Sequence, residues 1–518
     1  MLKKISSGLI ILFSIVWIFV LFLDYMDKHP LHIQGFVLFK YFNFLLFIQL
    51  FGISLFVLVQ FINVDRIKRK FYTGFTPVLM VGFFTSAILF SFDNFVGEST
   101  TSAQLLYYLG RYFGFIAVLV LIYASVYTLG NSVLKRFFNK GNSISLSLCI
   151  GLMIFIWTLF MLAALHFLTL IPVIILLGLP IVLGYKKFFT GLKLILFTSF
   201  KDYKQVSYWG FLVYYLTIVA LAINFLSILS PYPYGFDARN FYLNVTQLLA
   251  DSGALIPGFQ PYSWQLFMST GFVLLNSHEL AILISFSSFV LAIVAINEFT
   301  RKVVKLNFNL RLLVICILTC TPAIYNQLSI DVKIDFALLF FQIVIVHQFF
   351  KYLQKDNQPL SFLILLGLLS GFALSIKFTH LYLITTLVIA YWARKGGVPA
   401  MLSAASFGIA IFLIARIDDV GGLRSAHLGV NYQQWIMAFV GLALLGYILI
   451  TNRKLLIKLV SFALIFGAFH LIPILPWASK NYMDTKSLSP KTLLIGDAPG
   501  VKTNFQKMNQ IYKESKGN

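Results

Sequence analysis

Charge is what this sequence has least of. Asp, Glu, Lys and Arg together make up 11% of its residues, against about a quarter in soluble domains, which excludes an ordinary water-soluble enzyme. Acidic residues are the scarcer sign, 18 against 40 basic ones, for a formal net charge of +22. That excess does not imply a nucleic-acid partner, because the lysines and arginines sit in short clusters at the ends of apolar runs rather than along one face or stripe. Cysteine is nearly absent. Cys149, Cys316 and Cys320 all fall in apolar runs, so no disulfide framework is implied for the loops, and Cys316 and Cys320, four apart, read as packing on one helix face. A signal-cleavage site is missing too: "LDYMDKHP" follows the first apolar run without the small residues a peptidase needs, so that run is expected to stay as a helix.

What the chain does have is apolar length. Hydrophobic residues reach 59% and mean hydropathy is +0.87, with many runs near the 20 residues that a helix needs to cross a bilayer. The runs lie near 6–23, 41–62, 73–92, 104–129, 147–165, 167–184, 207–229, 278–297, 311–325, 335–350, 361–377, 380–393, 398–415, 433–450 and 456–475. Those at 311–325, 335–350 and 380–393 are short, as tilted, broken or re-entrant segments would be. The expectation is an all-α polytopic membrane protein with about 13–15 transmembrane helices.

Orientation follows from the basic residues, which are retained on the cytoplasmic side. With the N-terminus inside, 25 of them fall in cytoplasmic segments and six in the opposite loops before the tail. The chain divides by loop character into an accessory six-helix unit, 1–205, a transmembrane core, 206–475, and an outer tail, 476–518. Arg111, inside the fourth run, needs a partner or an inward position. His166, His347 and His470 lie in or at the ends of apolar runs without metal-ligand spacing and read as packed polar residues. The sequon at Asn244 is a weak signal.

From 207 onward the outer loops collect carboxylates, cations and aromatics. "SPYPYGFDARNFYLNVTQLLADSG" places Asp237 and Arg239 just past an apolar run, at the start of a short surface helix. An aspartate there is also a common N-cap. "NQLSIDVKIDFALLFF" puts Asp331 and Asp335 four apart at the next entrance, on one helix face. "GLLSGFALSIKFTHLYLI" adds Lys377 and His380, and "LIPILPWASKNYMDTKSLSP" adds Lys480 and Asn481. The mixed patch Arg416, Asp418, Asp419, Arg424 and His427 is either a cover over a site or a solvated loop. Each residue alone suits an interfacial anchor; clusters recurring at one membrane depth suit a site.

These segments resemble the GT-C superfamily of glycosyltransferases that use polyprenyl-phosphate sugars, such as protein O-mannosyltransferases and aminoarabinose transferases. "YGFDARNFYLNVTQLLADSG" is similar to their first outer loop, "SIDVKIDFALLFF" to the second acidic loop, and "PWASKNYMDTKSLSP" to a late segment that here lacks the "TGNP" turn of many bacterial members. The resemblance covers roughly 207–490 and implies a GT-C-like core with outer-face loop helices. It implies an inverting transferase of a bacterial inner membrane, moving sugar from a lipid-linked donor to a glycan, lipid or protein acceptor on the outer face, amid membrane lipids. It implies Asp237 as base, with Asp331 or Asp335 orienting the acceptor. Asp237 or Asp331 would hold a divalent cation, Mg or Mn, as in the relatives that use one. Arg239, Lys377, His380 and Lys480 would bind lipid phosphate, with Asn481 beside them. Tyr232, Tyr234, Tyr242, Tyr262 and Trp264 would offer sugar-stacking faces, or else form an interfacial belt. Two other classes stay open: an O-antigen ligase or polymerase, and a secondary transporter or lipid flippase, although no internal repeat supports the last.

Overall fold

The computed structural model describes residues 102–138, 143–196, 208–229, 237–257, 261–321, 332–354, 359–415 and 433–488, with a few single positions besides. The runs expected at 6–23, 41–62 and 73–92 lie outside these, apart from helical Ile88. So do Tyr232, Tyr234, Asp331, the patch at 416–427 and the tail beyond 488 apart from Leu493. Among the described residues no strand occurs, and seven helices are long and apolar enough to cross a membrane, eight if one bent pair counts as a span. The chain is an all-α polytopic membrane protein.

Two compact units emerge, each assembled from separate stretches of chain: 1–118, 193–239 and 304–332 in the first, 119–192, 240–303 and 333–518 in the second. Helix α1 (Ser102–Phe137) contributes to both, followed by α2 (Ile144–Ala164), α3 (Leu170–Leu183) and α4 (Tyr185–Leu196). In the first unit, α5 (Tyr208–Ile228) packs along α9 (Phe308–Thr319). Asn224 of α5 donates to Thr319 O at 3.2 Å, so the side-chain N–H of an amide in an apolar helix finds its acceptor across the interface. With 12 residues, α9 is about 18 Å long, too short to cross alone. In the same unit Arg111 lies over the Phe115 ring, 5.4 Å from its centroid.

The second unit holds α6 (Leu243–Ser252), α7 (Ser263–Leu275), α8 (His278–Phe299), α10 (Asp335–Leu353), α11 (Leu360–Ile376), α12 (Leu381–Ala415), α13 (Gln433–Thr451), α14 (Arg453–Leu471) and α15 (Leu475–Thr485). Lipid tails are as apolar as leucine, so helices here associate by close approach rather than by the hydrophobic effect. A Cβ on Gly130 would sit 1.8 Å from Ser147 O, and one on Gly151 would sit 1.9 Å from Val126 O. Antiparallel α1 and α2 therefore touch backbone to backbone. Gly371 does the same for α11 and α14, where a Cβ would meet His470 O at 1.9 Å.

Two helices turn where the sequence suggests. At Gly184 the axis bends by 101° between α3 and the first part of α4, so the run expected at 167–184 ends in a helix set across it. Gly397, with φ 68° and ψ −158°, breaks α12. Tyr382 stacks on Phe412 at 4.9 Å, and a Cβ on Gly408 would be 2.3 Å from Thr385. Residues 23 apart in one straight helix would be about 35 Å apart. The arms 381–396 and 398–415 therefore fold back on one another, matching the two separate runs expected there.

Candidate functional site

Connectivity sorts the ends of the second unit. Glu298, near the end of α8, accepts from the Ser145 N–H at 3.2 Å and from its hydroxyl, at the start of α2, and pairs with Lys302. The opposite end gathers the start of α7, the start of α10, the end of α11 and all of α15. That end carries most of the residues singled out in the sequence.

The helix α15 is short and polar in pattern, with Pro476 in its first turn. It is held down by Trp477, which is 1% exposed and meets Phe160 and Tyr262 edge to face at 4.7 and 4.6 Å. The turn after Trp477 brings Lys480 into the same apolar layer, 4% exposed. Its ammonium donates to Asp484, one turn on, at 2.9 Å, and lies 5.7 Å from the centroid of the Tyr262 ring. Burial lowers the Lys480 pKa from the ordinary lysine value, and Asp484 draws it partly back up. Burial likewise raises the Tyr262 phenol, whose oxygen accepts from the Ile256 N–H at 2.7 Å. Asn481 is fully buried and donates to Leu493 O at 3.0 Å.

Beside this helix opens a cleft of about 710 Å³. Its walls are mostly apolar, from Trp157, Phe160 and Met161 of α2 to Ile472, Leu475 and Met483 around α15, and Lys480, Asp484 and Ser479 supply polar groups. The Trp157 indole N–H in this wall has no hydrogen-bond partner among the described residues. His166 also lines the cleft, exposed and at φ 62°, so it is a rim residue and not the packed polar group its position suggested. His347 and His470 are buried as expected.

A second pair lies farther along the same end. Lys377, just past α11, donates to Asp335 Oδ1 at 2.6 Å, with about a third of each side chain exposed (32% and 30%). The other oxygen, Oδ2, is buried and has no partner among the described residues. Asp335 opens α10, where the helix dipole favours a carboxylate. Three residues earlier Val332 holds φ 49°, a strained conformation for a β-branched residue of the kind that gathers at functional loops. His380 is fully buried between Ser370 Oγ, 3.1 Å from Nε2, and Gln342 Nε2, 3.4 Å from Nδ1. The two pairs are linked through α7: Ser263, next to Tyr262, shares a 2.7 Å hydrogen bond with Ser375, two residues before Lys377.

Of the residues put forward in the sequence as catalytic or substrate-binding, Lys480 is the one that lines the cleft. Asp335 and Lys377 pair, while Tyr262 and Trp264 are fully buried, their rings against Trp477 and Phe267. They pack rather than present a stacking face. Tyr242 is 7% exposed and meets Phe241 edge to face. Asp237 and Arg239 belong to the first unit, Asp237 half-buried and directly before a π-helical turn, Ala238–Tyr242, that runs into α6. In the sequon, Asn244 and Thr246 are both buried. Among the described residues no three His, Cys, Asp or Glu side chains converge as metal ligands. The sequence reading missed Asp484, although its i, i+4 spacing from Lys480 was the signal, and it missed the aromatic layer beneath. No family model, curated protein or solved structure matches the chain.

Proposed function

We propose that the chain is an integral membrane glycosyltransferase that moves sugar from a polyprenyl-phosphate donor to an acceptor at the Lys480 end of the second unit, on the outer face of a bacterial inner membrane. The observation that carries this reading is the cleft, apolar along its walls with a buried lysine in one of them. A cavity of this size suits a small-molecule or lipid segment. A cation set in an apolar wall stabilises negative charge far better than it would in water. An amphiphile whose phosphate becomes a leaving group needs both features.

In the reaction the acceptor O–H or N–H attacks the anomeric carbon, the bond from that carbon to the phosphate oxygen breaks, and the configuration inverts. The departing polyprenyl phosphate keeps the electron pair, and Lys480 neutralises it. The acceptor proton passes to a carboxylate, a step worth about 10²–10⁴-fold. The GT-C resemblance implies Asp237 for that carboxylate, and Asp335, which pairs with Lys377, for orienting the acceptor.

The test is turnover of a panel of polyprenyl-phosphate sugars by purified protein with membrane extract. Wild type is expected to consume one donor, Lys480→Gln to raise KM for it, and Asp237→Asn to abolish transfer with unchanged melting, since asparagine caps a helix as well as aspartate does. Turnover surviving in Asp237→Asn would pass the base role to Asp335 or Asp331. Solute or lipid movement without turnover would replace the enzyme reading with a transporter.

A further inference from the structure

The bend between α3 and α4 builds a surface that the proposed chemistry does not use. Helix α3 presents Ile171, Ile174, Ile175, Leu179, Val182 and Leu183 outward, all at least 51% exposed, the face of a helix lying against lipid tails. That stripe stops at the 101° bend, and Tyr185, Lys186 and Lys187 follow at once. The inner side of α4 docks on α1: Phe188 is buried, a Cβ on Gly191 would sit 2.5 Å from the Tyr127 ring, and Lys187 donates to Ser132 Oγ at 3.2 Å. Lys186 and Thr190 stay exposed on the other side, with Phe189.

The end of α1 adds to the same place. One turn past Ser132 come Lys135, Arg136 and Phe137, all exposed. Two of the cations lie by neighbouring rings, Arg136 at 5.9 Å from the Phe137 centroid and Lys186 at 5.8 Å from that of Tyr185. Exposed rings beside cations, where an apolar stripe ends, are the pattern of a headgroup layer. No acidic residue occurs in α1 or in the stretch 170–196, so nothing in these helices offsets the charge.

We propose that Lys135, Arg136, Lys186 and Lys187 form a binding surface for the headgroups of anionic phospholipids, with α4 lying in the interface as an amphipathic anchor. Charge complementarity selects the occupant: a zwitterionic headgroup places a cation of its own against the four, whereas a phosphatidylglycerol-type headgroup does not. A basic residue near such a surface contributes about fivefold in binding, and salt screens it.

The experiment is retention of lipid by the full chain from mixed micelles of equal phosphatidylglycerol and phosphatidylcholine, read by native mass spectrometry. Wild type is expected to keep phosphatidylglycerol in excess, less so as salt rises. Replacing all four cations with Gln should abolish the excess, replacing the three lysines with Arg should preserve it, and Lys454→Gln with Lys458→Gln, at exposed sites on α14, should leave it intact. Lys186→Glu, at an exposed side chain, serves if the fourfold variant does not fold, and is expected to lower the excess more than Lys186→Gln. Equal retention by wild type, an excess that survives the fourfold change, or one lost equally in the α14 variant would overturn the proposal.

Discussion

Lys480 is a cation held where a cation is costly, and that sets how it responds to pH. Its pKa is lowered by burial, so the ammonium form, which the proposed reaction sets against a phosphate, is lost below the pH at which an exposed lysine would lose it. The alkaline limb of kcat/KM for the donor, which reports free-enzyme groups, is expected below the ordinary lysine value of about 10.4. Lys480→Arg should move that limb upward, because a guanidinium stays charged; a limb that stays in place would assign it to another group. The two ion pairs at this end should also differ in worth. Lys480 is 5% exposed at its side chain and Lys377 is 32%. Removing the carboxylate from a buried pair costs about 3–5 kcal/mol, whereas exposed pairs contribute about 0.2–1 kcal/mol. Asp484→Asn should therefore lower the melting temperature well beyond Asp335→Asn, by calorimetry in detergent. Sequence spacing was enough to name Lys480, Asp335 and Lys377. It could not rank them, because the burial of Lys480 depends on Trp477 and Tyr262, which long-range packing brings together.

At the scale of elements, the long described spans were legible and the buried helix among the loops was not. Apolar runs of about 20 residues located α1, α2, α8, α13 and α14 because backbone hydrogen bonds must close within a segment in lipid. The buried helix α7 was hidden in what reads as an outer loop. Its serines, threonine and glutamine look solvent-facing in sequence, yet Ser263, Gln265, Ser269 and Thr270 are all buried. Gly397 is the break that the pattern did foresee, and its cost can be measured. At φ 68° and ψ −158° only glycine is comfortable, and forcing a side chain there costs about 1–3 kcal/mol. Gly397→Ala is expected to destabilise by that amount. Gly446→Ala, within α13 and with open space around its Cβ, should be neutral or stabilising by up to about 1 kcal/mol. Equal melting of the two variants would mean that the turn in α12 does not depend on this backbone conformation.

For the whole molecule, the basic residues and the hairpin in α12 together predict a topology that one labelling experiment can read. Gln354 ends α10, Asn452 joins α13 to α14, Asn276 joins α7 to α8, and Lys486 caps α15; all four are exposed. Single cysteines at these positions, in a full-length chain carrying Cys320→Ser because that thiol is exposed, would be challenged with a membrane-impermeant maleimide in intact cells. The basic bias predicts labelling at 276 and 486 and protection at 354 and 452. The hairpin makes a separate demand. Between 354 and 452 the chain passes through α11, both arms of α12 and α13. Four crossings return it to the same side; if α12 crossed only once, three would leave the two positions on opposite sides. Protection of 354 with labelling of 452 would thus make α12 a single bent crossing, whatever the orientation. Labelling of both, with 276 and 486 protected, would keep the hairpin and invert the protein, placing the Lys480 cleft on the cytoplasmic face and removing an outer-face donor from the proposed reaction.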